Sequence, residues 1–319
     1  MTAKRVWLLV SAFCVRSLHC QVCPPHWPKL GLDPQKRGSH LNKPPAQELR
    51  SRQFWQGILA EILGSLVFVS AVLGSLVPGQ DGVSPGPIYP ALAGGMATVV
   101  LGYCFGEISG AQVNPAVTVA LMATRKVDVF RALVYIVAQC LGGILATGLL
   151  YICLPLKSTA QNYINKVPED MNAGQALGME MLATFLLGFT VFSVEDQRRR
   201  EGSEPGNLGI GFAVTTAIFI AGRFSGASLN PARSLGPAII LGYWEHHWVY
   251  WIGPIFGAVL AGISHEFIFA PSASRQKLVA CLTCKDIDIV ETASVSRSSL
   301  STVTQSAMRN KQNNKLEHS

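Results

Sequence analysis

Apolar residues gather along this chain in six long runs, at about residues 54–77, 87–106, 130–154, 174–194, 207–223 and 247–270. Each approaches the roughly 20 predominantly apolar residues that a helix needs to cross a bilayer, so the pattern predicts six membrane-spanning helices. Within the runs, Gly102 and Gly106, Gly143 and Thr147, and Gly257 and Ala261 place small residues one helical turn apart. That spacing lets helix backbones approach closely and predicts a tight bundle.

Two further apolar pieces, Asn114 to Thr124 and Asn230 to Leu241, have about half the length a span needs. Each begins with Asn-Pro. Asparagine is a preferred N-cap and proline fits the first helical position, where its missing N–H would be unpaired anyway. Both pieces therefore read as short helices with defined starts, tolerated at membrane depth only inside protein or beside a wet cavity. They are also copies: Ser109-Gly-Ala-Gln-Val-Asn-Pro-Ala116 matches Ser225-Gly-Ala-Ser-Leu-Asn-Pro-Ala232 at six of eight positions. An acidic residue, Glu61 or Glu180, stands near the start of the first span of each half. Each half thus reads span, span, half-helix, span. Because three crossings is an odd number, the halves are inverted and their half-helices enter from opposite faces to meet near the midplane.

Composition agrees with a membrane class: 49% of the 319 residues are hydrophobic, 14% are charged, and 30 are glycine. The formal charge of +7 comes mostly from the tails and short loops, with no basic stripe interleaved with aromatics, so it signals orientation and argues against nucleic acid. Arg125, Lys126 and Arg131, then Arg198 to Arg200, then Arg275, Lys277 and Lys285 place both termini inside. The loops near 78–86 and 155–173 are then external; no Asn-x-Ser/Thr occurs, so no N-glycan is expected there.

Residues 1–52 read as a cytoplasmic extension, 53–270 as the channel domain with repeats at 53–155 and 172–270, and 271–319 as a disordered cytoplasmic tail, polar and serine-rich from Thr292. The run Val6 to Val15 after Lys4 and Arg5 resembles a signal-peptide core, but the basic residues before the first span favour the inside. Of eight cysteines, Cys104, Cys140 and Cys153 lie in apolar stretches, which argues against a disulfide scaffold. Cys20-Gln-Val-Cys23 and Cys281-Leu-Thr-Cys284 have the local spacing of zinc half-sites; acylation of Cys281 or Cys284 is the preferred use. No metal and no cofactor is expected.

With these features the chain resembles the aquaporin (major intrinsic protein) family, whose signature is two Asn-Pro-Ala motifs on half-helices inside six spans. The resemblance covers about residues 53–270 and rests on Ala-Glu near Glu61, Ser-Gly-Ala-x-x-Asn-Pro-Ala-Val-Thr at 109–118, Asn-Pro-Ala-Arg-Ser at 230–234 and His247-Trp-Val-Tyr-Trp-Ile-Gly-Pro254. It implies a homotetramer of an integral membrane protein, in the plasma membrane, with one pore per subunit. Asn114, Pro115, Ala116 and Asn230, Pro231, Ala232 would form the meeting point. There two helix N-termini bring partial positive charge, and the asparagines offer NH2 groups to passing water, interrupting a proton wire. The family pattern also implies that Glu61 and Glu180 accept from loop N–H groups; a proton relay is the competing reading. Arg233, an intramembrane arginine, reads as pore-lining, with a structural arginine paired to backbone carbonyls as its alternative.

Alignment to the family places the constriction at Gly94, Ile218, Ala227 and Arg233. A water-selective member sets an aromatic and a histidine at the first two positions, and both are absent here. That combination resembles the insect entomoglyceroporins, whereas Ser234, Ala238, Tyr250 and Trp251 look like the water-channel branch. Gly95 or Met96 would replace Gly94 if the alignment slipped. Glu107 and Gln112 stand where histidine is common, and Arg223 is expected at the outer mouth.

The reading is an all-α channel for water and small uncharged solutes such as glycerol and urea, excluding ions and protons. The alternatives are a strictly water-selective channel and a non-conducting junctional protein of the same fold. A coupled transporter is disfavoured. No nucleophile with a base partner and no phosphate loop appears, so an enzyme is not expected.

Overall fold

A computed structural model describes residues 45–79, 83, 85–154, 160–201, 206–271 and 273–282. Ten α-helices occur among them. A short α1 (Pro45–Glu48) precedes α2 (Arg52–Gly74) and α3 (Ile88–Phe105). Then follow the half-length α4 (Pro115–Ala123), α5 (Val129–Cys153) and, after a 3-10 turn at Ala160–Tyr163, α6 (Ala173–Glu201) and α7 (Asn207–Ser225). The half-length α8 (Pro231–Leu241), α9 (Val249–Ser264), a π turn at His265–Phe269 and α10 (Arg275–Leu282) complete the described chain.

Six of these, α2, α3, α5, α6, α7 and α9 with its π extension, are long and apolar enough to cross a membrane. The 23 residues of α2 rise about 35 Å. The 9 of α4 and 11 of α8 rise only about 14 and 17 Å, half of a bilayer's hydrocarbon core. Leu59, Leu63, Val67, Val100, Leu133, Val137, Leu141 and Leu145 are exposed on the outside of the bundle. In water such a belt would be unfavourable; against lipid it is the expected surface.

The two halves are related by an inverted repeat, and packing interleaves them. In the first half α2 packs on α5, and in the second α6 packs on α9. Each half-helix, however, packs most closely on a span of the other half: α4 on α9, and α8 on α5. The central pair α3 and α7 joins the halves again. With six crossings both described ends lie on one face, called here the near face, toward which α4 runs; α8 runs to the far face.

Close approach requires glycine at matching places. A Cβ on Gly142 would lie 2.4 Å from the Ile62 carbonyl oxygen, and one on Gly257 would lie 2.3 Å from that of Met181, each the residue following a buried glutamate. Gly257→Leu therefore has to push α9 off α6. Overpacking of this kind costs about 1–3 kcal/mol or more, which lowers the unfolding temperature of the detergent-solubilised protein by roughly 5–10 °C.

Both ends of the described chain pack onto the bundle, and at the C-terminal end this departs from the disordered tail expected from residue 271. Glu48 is buried and pairs with Arg131 at 2.6 Å, so the chain is already folded onto α5 before residue 52. On the other side, α10 occupies part of the segment expected to begin a disordered tail, with Leu278 and Cys281 packed against the core. Cys281 is 2% exposed, which removes it as an acylation site. Cys20, Cys23 and Cys284 lie outside the described residues, as do Val6 to Val15 and everything from Thr292 onward. Among the described residues no three His, Cys, Asp or Glu side chains cluster as a metal site. Two of the orienting cations also have local partners, since Lys126 pairs with Glu266 at 2.7 Å as Arg131 does with Glu48.

Candidate functional site

The tips of α4 and α8 meet inside the bundle. Asn114 caps α4 by accepting from the Ala116 N–H at 2.9 Å, and Asn230 caps α8 by accepting from the Ala232 N–H at 3.0 Å, with Pro115 and Pro231 at the first helical positions. Each side-chain NH2 then reaches across: Asn114 Nδ2 donates to the Leu229 carbonyl at 2.9 Å, and Asn230 Nδ2 donates to the Val113 carbonyl at 2.8 Å. One N–H of each asparagine is spent on this crossing. The other is what remains for a molecule in the lumen, half of what the free side chain offers.

The loops that deliver the asparagines are strained in the same way. Ala111 (φ 47°) and Val113 (φ 42°) precede Asn114, and Ala227 (φ 43°) and Leu229 (φ 55°) precede Asn230 at equivalent offsets. Left-handed backbone is costly for such residues, above all for a β-branched valine. Two buried carboxylates hold it. Glu61 accepts from Ser109 Oγ (2.6 Å), Gln112 N (3.0 Å) and Val113 N (2.7 Å). Glu180 accepts from Ser225 Oγ (2.6 Å), Ser228 N (2.8 Å) and Leu229 N (2.9 Å). Successive N–H groups thus converge on an anion as in a backbone nest. In a trans peptide the C=O points opposite its N–H, so the carbonyls of Ala111, Gln112, Ala227 and Ser228 face away from the carboxylates. That leaves them available as a ladder of acceptors.

On the near side this ladder borders a cavity of about 250 Å³ that runs from Lys126 and Glu195 inward to Asn114 and Asn230. Gln112 lines it, while Glu107 is exposed and does not. The Gln112 side chain is fixed by Thr118, which donates to its Oε1 at 2.7 Å; Gln139 in turn donates to Thr118 at 2.9 Å and to Glu61 at 2.7 Å.

On the far side, Gly94 faces Ile218. A Cβ at Gly94 would lie 3.0 Å from Ile218 Cδ1, 3.4 Å from Val214 and 3.5 Å from Val72. The neighbouring positions do different things: Gly95 faces Thr215 and the Gly211 carbonyl where α3 crosses α7, and Met96 is 67% exposed on the outside. Ile218 and Ala227 belong to one buried cluster. Arg233 is 3% exposed, and its Nη1 donates to the Tyr163 carbonyl at 2.9 Å and to Asn165 Oδ1. The wall around Arg233 is therefore built partly by a backbone carbonyl, as its structural reading supposes. Arg223, in the last turn of α7, is exposed with its guanidinium over Phe224.

Sequence reasoning missed Asn165, Tyr163, Gln139 and Thr118. Gln139 carried a readable signal, a lone amide in the middle of an apolar span. Tyr163 and Asn165 carried none, because they lie in the polar connector outside both copies of the repeat.

The profile of the family described as major intrinsic protein matches residues 48–265. Human aquaporin-4 is 42% identical over 230 residues, covering 71% of this chain and 71% of the relative. Bovine aquaporin-1 is 36% identical over 240 residues, covering 72% of this chain and 88% of the relative. Among solved structures, the X-ray structure of the aquaglyceroporin from Plasmodium falciparum superposes with a TM-score of 0.58 at 22% identity, covering 68% of this chain and 98% of that one.

Proposed function

This chain belongs to the major intrinsic protein family, and from that premise we propose that its pore passes water together with small uncharged solutes, glycerol and urea among them. It is a membrane channel and not an enzyme. The observation that carries the solute reading is the far-side wall, where Gly94 and Ile218 bring Val72 and Val214 to a surface with no ring and no imidazole donor. An apolar wall, read as facing Arg233 across the lumen, suits a molecule with a carbon backbone on one side and hydroxyls or amides on the other.

Exclusion of charge follows from the same parts. The N-termini of α4 and α8 point at one place with Asn114 and Asn230, and Arg233 adds a full positive charge, so a cation meets repulsion as well as the cost of losing its water. Water that accepts from the remaining asparagine N–H groups is turned with its own protons outward, which breaks a continuous proton wire. Glu61 and Glu180 have their oxygens engaged by loop donors, which favours a scaffold over a proton relay. The arrangement is read as one pore in each subunit of a plasma-membrane homotetramer, with the near face and both termini cytoplasmic.

A strictly water-selective pore is the second reading, and one observation favours it. Ile218 Cδ1 leans over Gly94 and fills part of the space that a missing side chain would leave. Swelling of expressing oocytes decides between them: water, glycerol and urea permeabilities are all expected to rise above uninjected cells. Glycerol and urea uptake equal to the control, with raised water permeability, would leave only the second reading.

A further inference from the structure

The connector between the two repeats brings one side chain into the far mouth that neither repeat supplies. Asn165 is 5% exposed, and all of its side-chain bonds go to parts of the pore wall. Its Oδ1 accepts from Arg233 Nη1 and from Ser234 Oγ, the latter at 2.6 Å, which fills both lone pairs of that oxygen. Its Nδ2 donates to the Gly226 carbonyl at 2.8 Å, one residue before Ala227. The fit leaves no slack: Gly226 has φ 80°, and a Cβ there would lie 2.7 Å from Asn165 Nδ2. Two residues earlier, Tyr163 is buried among Phe68, Val69, Val72 and Leu73, so the connector is plugged into the bundle and cannot carry Asn165 away.

Arg233 depends on this contact. The side-chain hydrogen bonds it makes to described residues all run through Nη1, to Tyr163 and Asn165, while Nε is buried with no partner among them. A guanidinium held at one nitrogen can pivot about it. Both acceptors are uncharged, so these bonds fix the group without a direct ion pair. We propose that Asn165 is a positioning residue for the pore: it holds the Arg233 guanidinium against the wall and, through Gly226, sets the position of Ala227 beside it. Removing the amide leaves Tyr163 O as the single anchor. The guanidinium then swings into the lumen in search of acceptors, since a hydrogen bond to a charged group is worth more than one between neutral groups.

The inference rests on the reading above only in taking Arg233 as a pore-lining cation. Its test is Asn165→Ala in oocytes, with permeabilities divided by the number of channels at the surface. Unit water permeability is expected to fall about threefold, with a steeper temperature dependence, because the arginine must now be displaced at each passage. Glycerol and urea are expected to fall about tenfold, the equivalent of roughly 1.4 kcal/mol of added barrier. The same substitution in an Arg233→Val background is expected to change unit permeability little, because the group it positions is gone. Losses of water and solute flux that track surface number alone, or an equal drop in the Arg233→Val background, would overturn the proposal. Should the unsubstituted channel pass water but neither glycerol nor urea, the solute reading falls, and the water measurements still decide the role of Asn165.

Discussion

Glu180→Leu is expected to remove most of the folded channel from the membrane. The substitution deletes the acceptor of three donors, Ser225 Oγ, Ser228 N and Leu229 N, and offers nothing in exchange. An unsatisfied buried donor costs about 1–3 kcal/mol, so the two backbone groups alone amount to roughly 2–6 kcal/mol. Ser225 has a weaker alternative in the Ala221 carbonyl at 3.4 Å, and its share is smaller. The carboxylate also holds Ala227 and Leu229 in left-handed backbone, a conformation worth about 1–3 kcal/mol of strain per residue when nothing enforces it. Against a total stability of about 5–15 kcal/mol, that is enough to dismantle the far-side loop. Surface labelling and thermal unfolding in detergent measure the effect. A proton relay predicts a different outcome, a normal amount of channel at the surface with altered flux. Wild-type surface abundance and wild-type water permeability together would remove Glu180 from both roles.

What could be read in the sequence and what could not divide along a physical line. The six spans and two half-helices were readable because membrane length and Asn-Pro caps are local properties; α4 and α8 run Pro115–Ala123 and Pro231–Leu241, within a residue or so of the capped segments. Glu61 and Glu180 were visible as acidic residues in apolar surroundings, yet their partners lie about 50 residues away in the strained loops and had to come from family resemblance or coordinates. The φ values of Val113 and Leu229 could not be anticipated at all, since a lone valine or leucine predicts extended or helical backbone. The carboxylate beneath each loop is what makes them possible.

The same line explains the termini. The sequence pattern reads residues 1–52 as an extension and predicts a disordered tail after residue 270, but Glu48 finds Arg131 across 83 residues, and Leu278 and Cys281 find the apolar floor beneath α4 and α6. Neither pairing leaves a periodic trace. Asn165 is the sharper case. An internal repeat directs attention to positions that occur twice, and the connector occurs once, so this part of the pore's asymmetry enters through a segment the repeat does not describe. In the first half Val117 occupies the offset that Arg233 has in the second, and it is buried in the core. At this offset the second half therefore carries a cation that needs a wall to hold it, and the first does not.

Ile218→His is expected to cut glycerol and urea flux about tenfold or more while leaving a channel for water. At the wall beside Gly94, Ile218 Cδ1 would lie 3.0 Å from an added Cβ. Ile218 is 7% exposed and sits on α7 one turn from Val214, so its side chain shares one apolar face with that residue. Imidazole at this position replaces a methyl surface by a ring with a donor and an acceptor, on the side where a polyol's carbon backbone would pass. Water gains a partner there and exchanges one hydrogen bond for another. Glycerol and urea have to pass a ring that reaches farther into the lumen than the branched side chain, and glycerol also loses contact between its carbons and apolar side chains. A barrier higher by about 1.4–3 kcal/mol reduces their flux about tenfold to more than a hundredfold. Unit permeabilities for water, urea and glycerol, measured on the same oocytes with surface number determined in parallel, give the ratio directly. Solute flux that survives the substitution at its original ratio to water would mean that the pore's limiting width lies elsewhere, and Gly94 and Ile218 would lose their assignment to the filter.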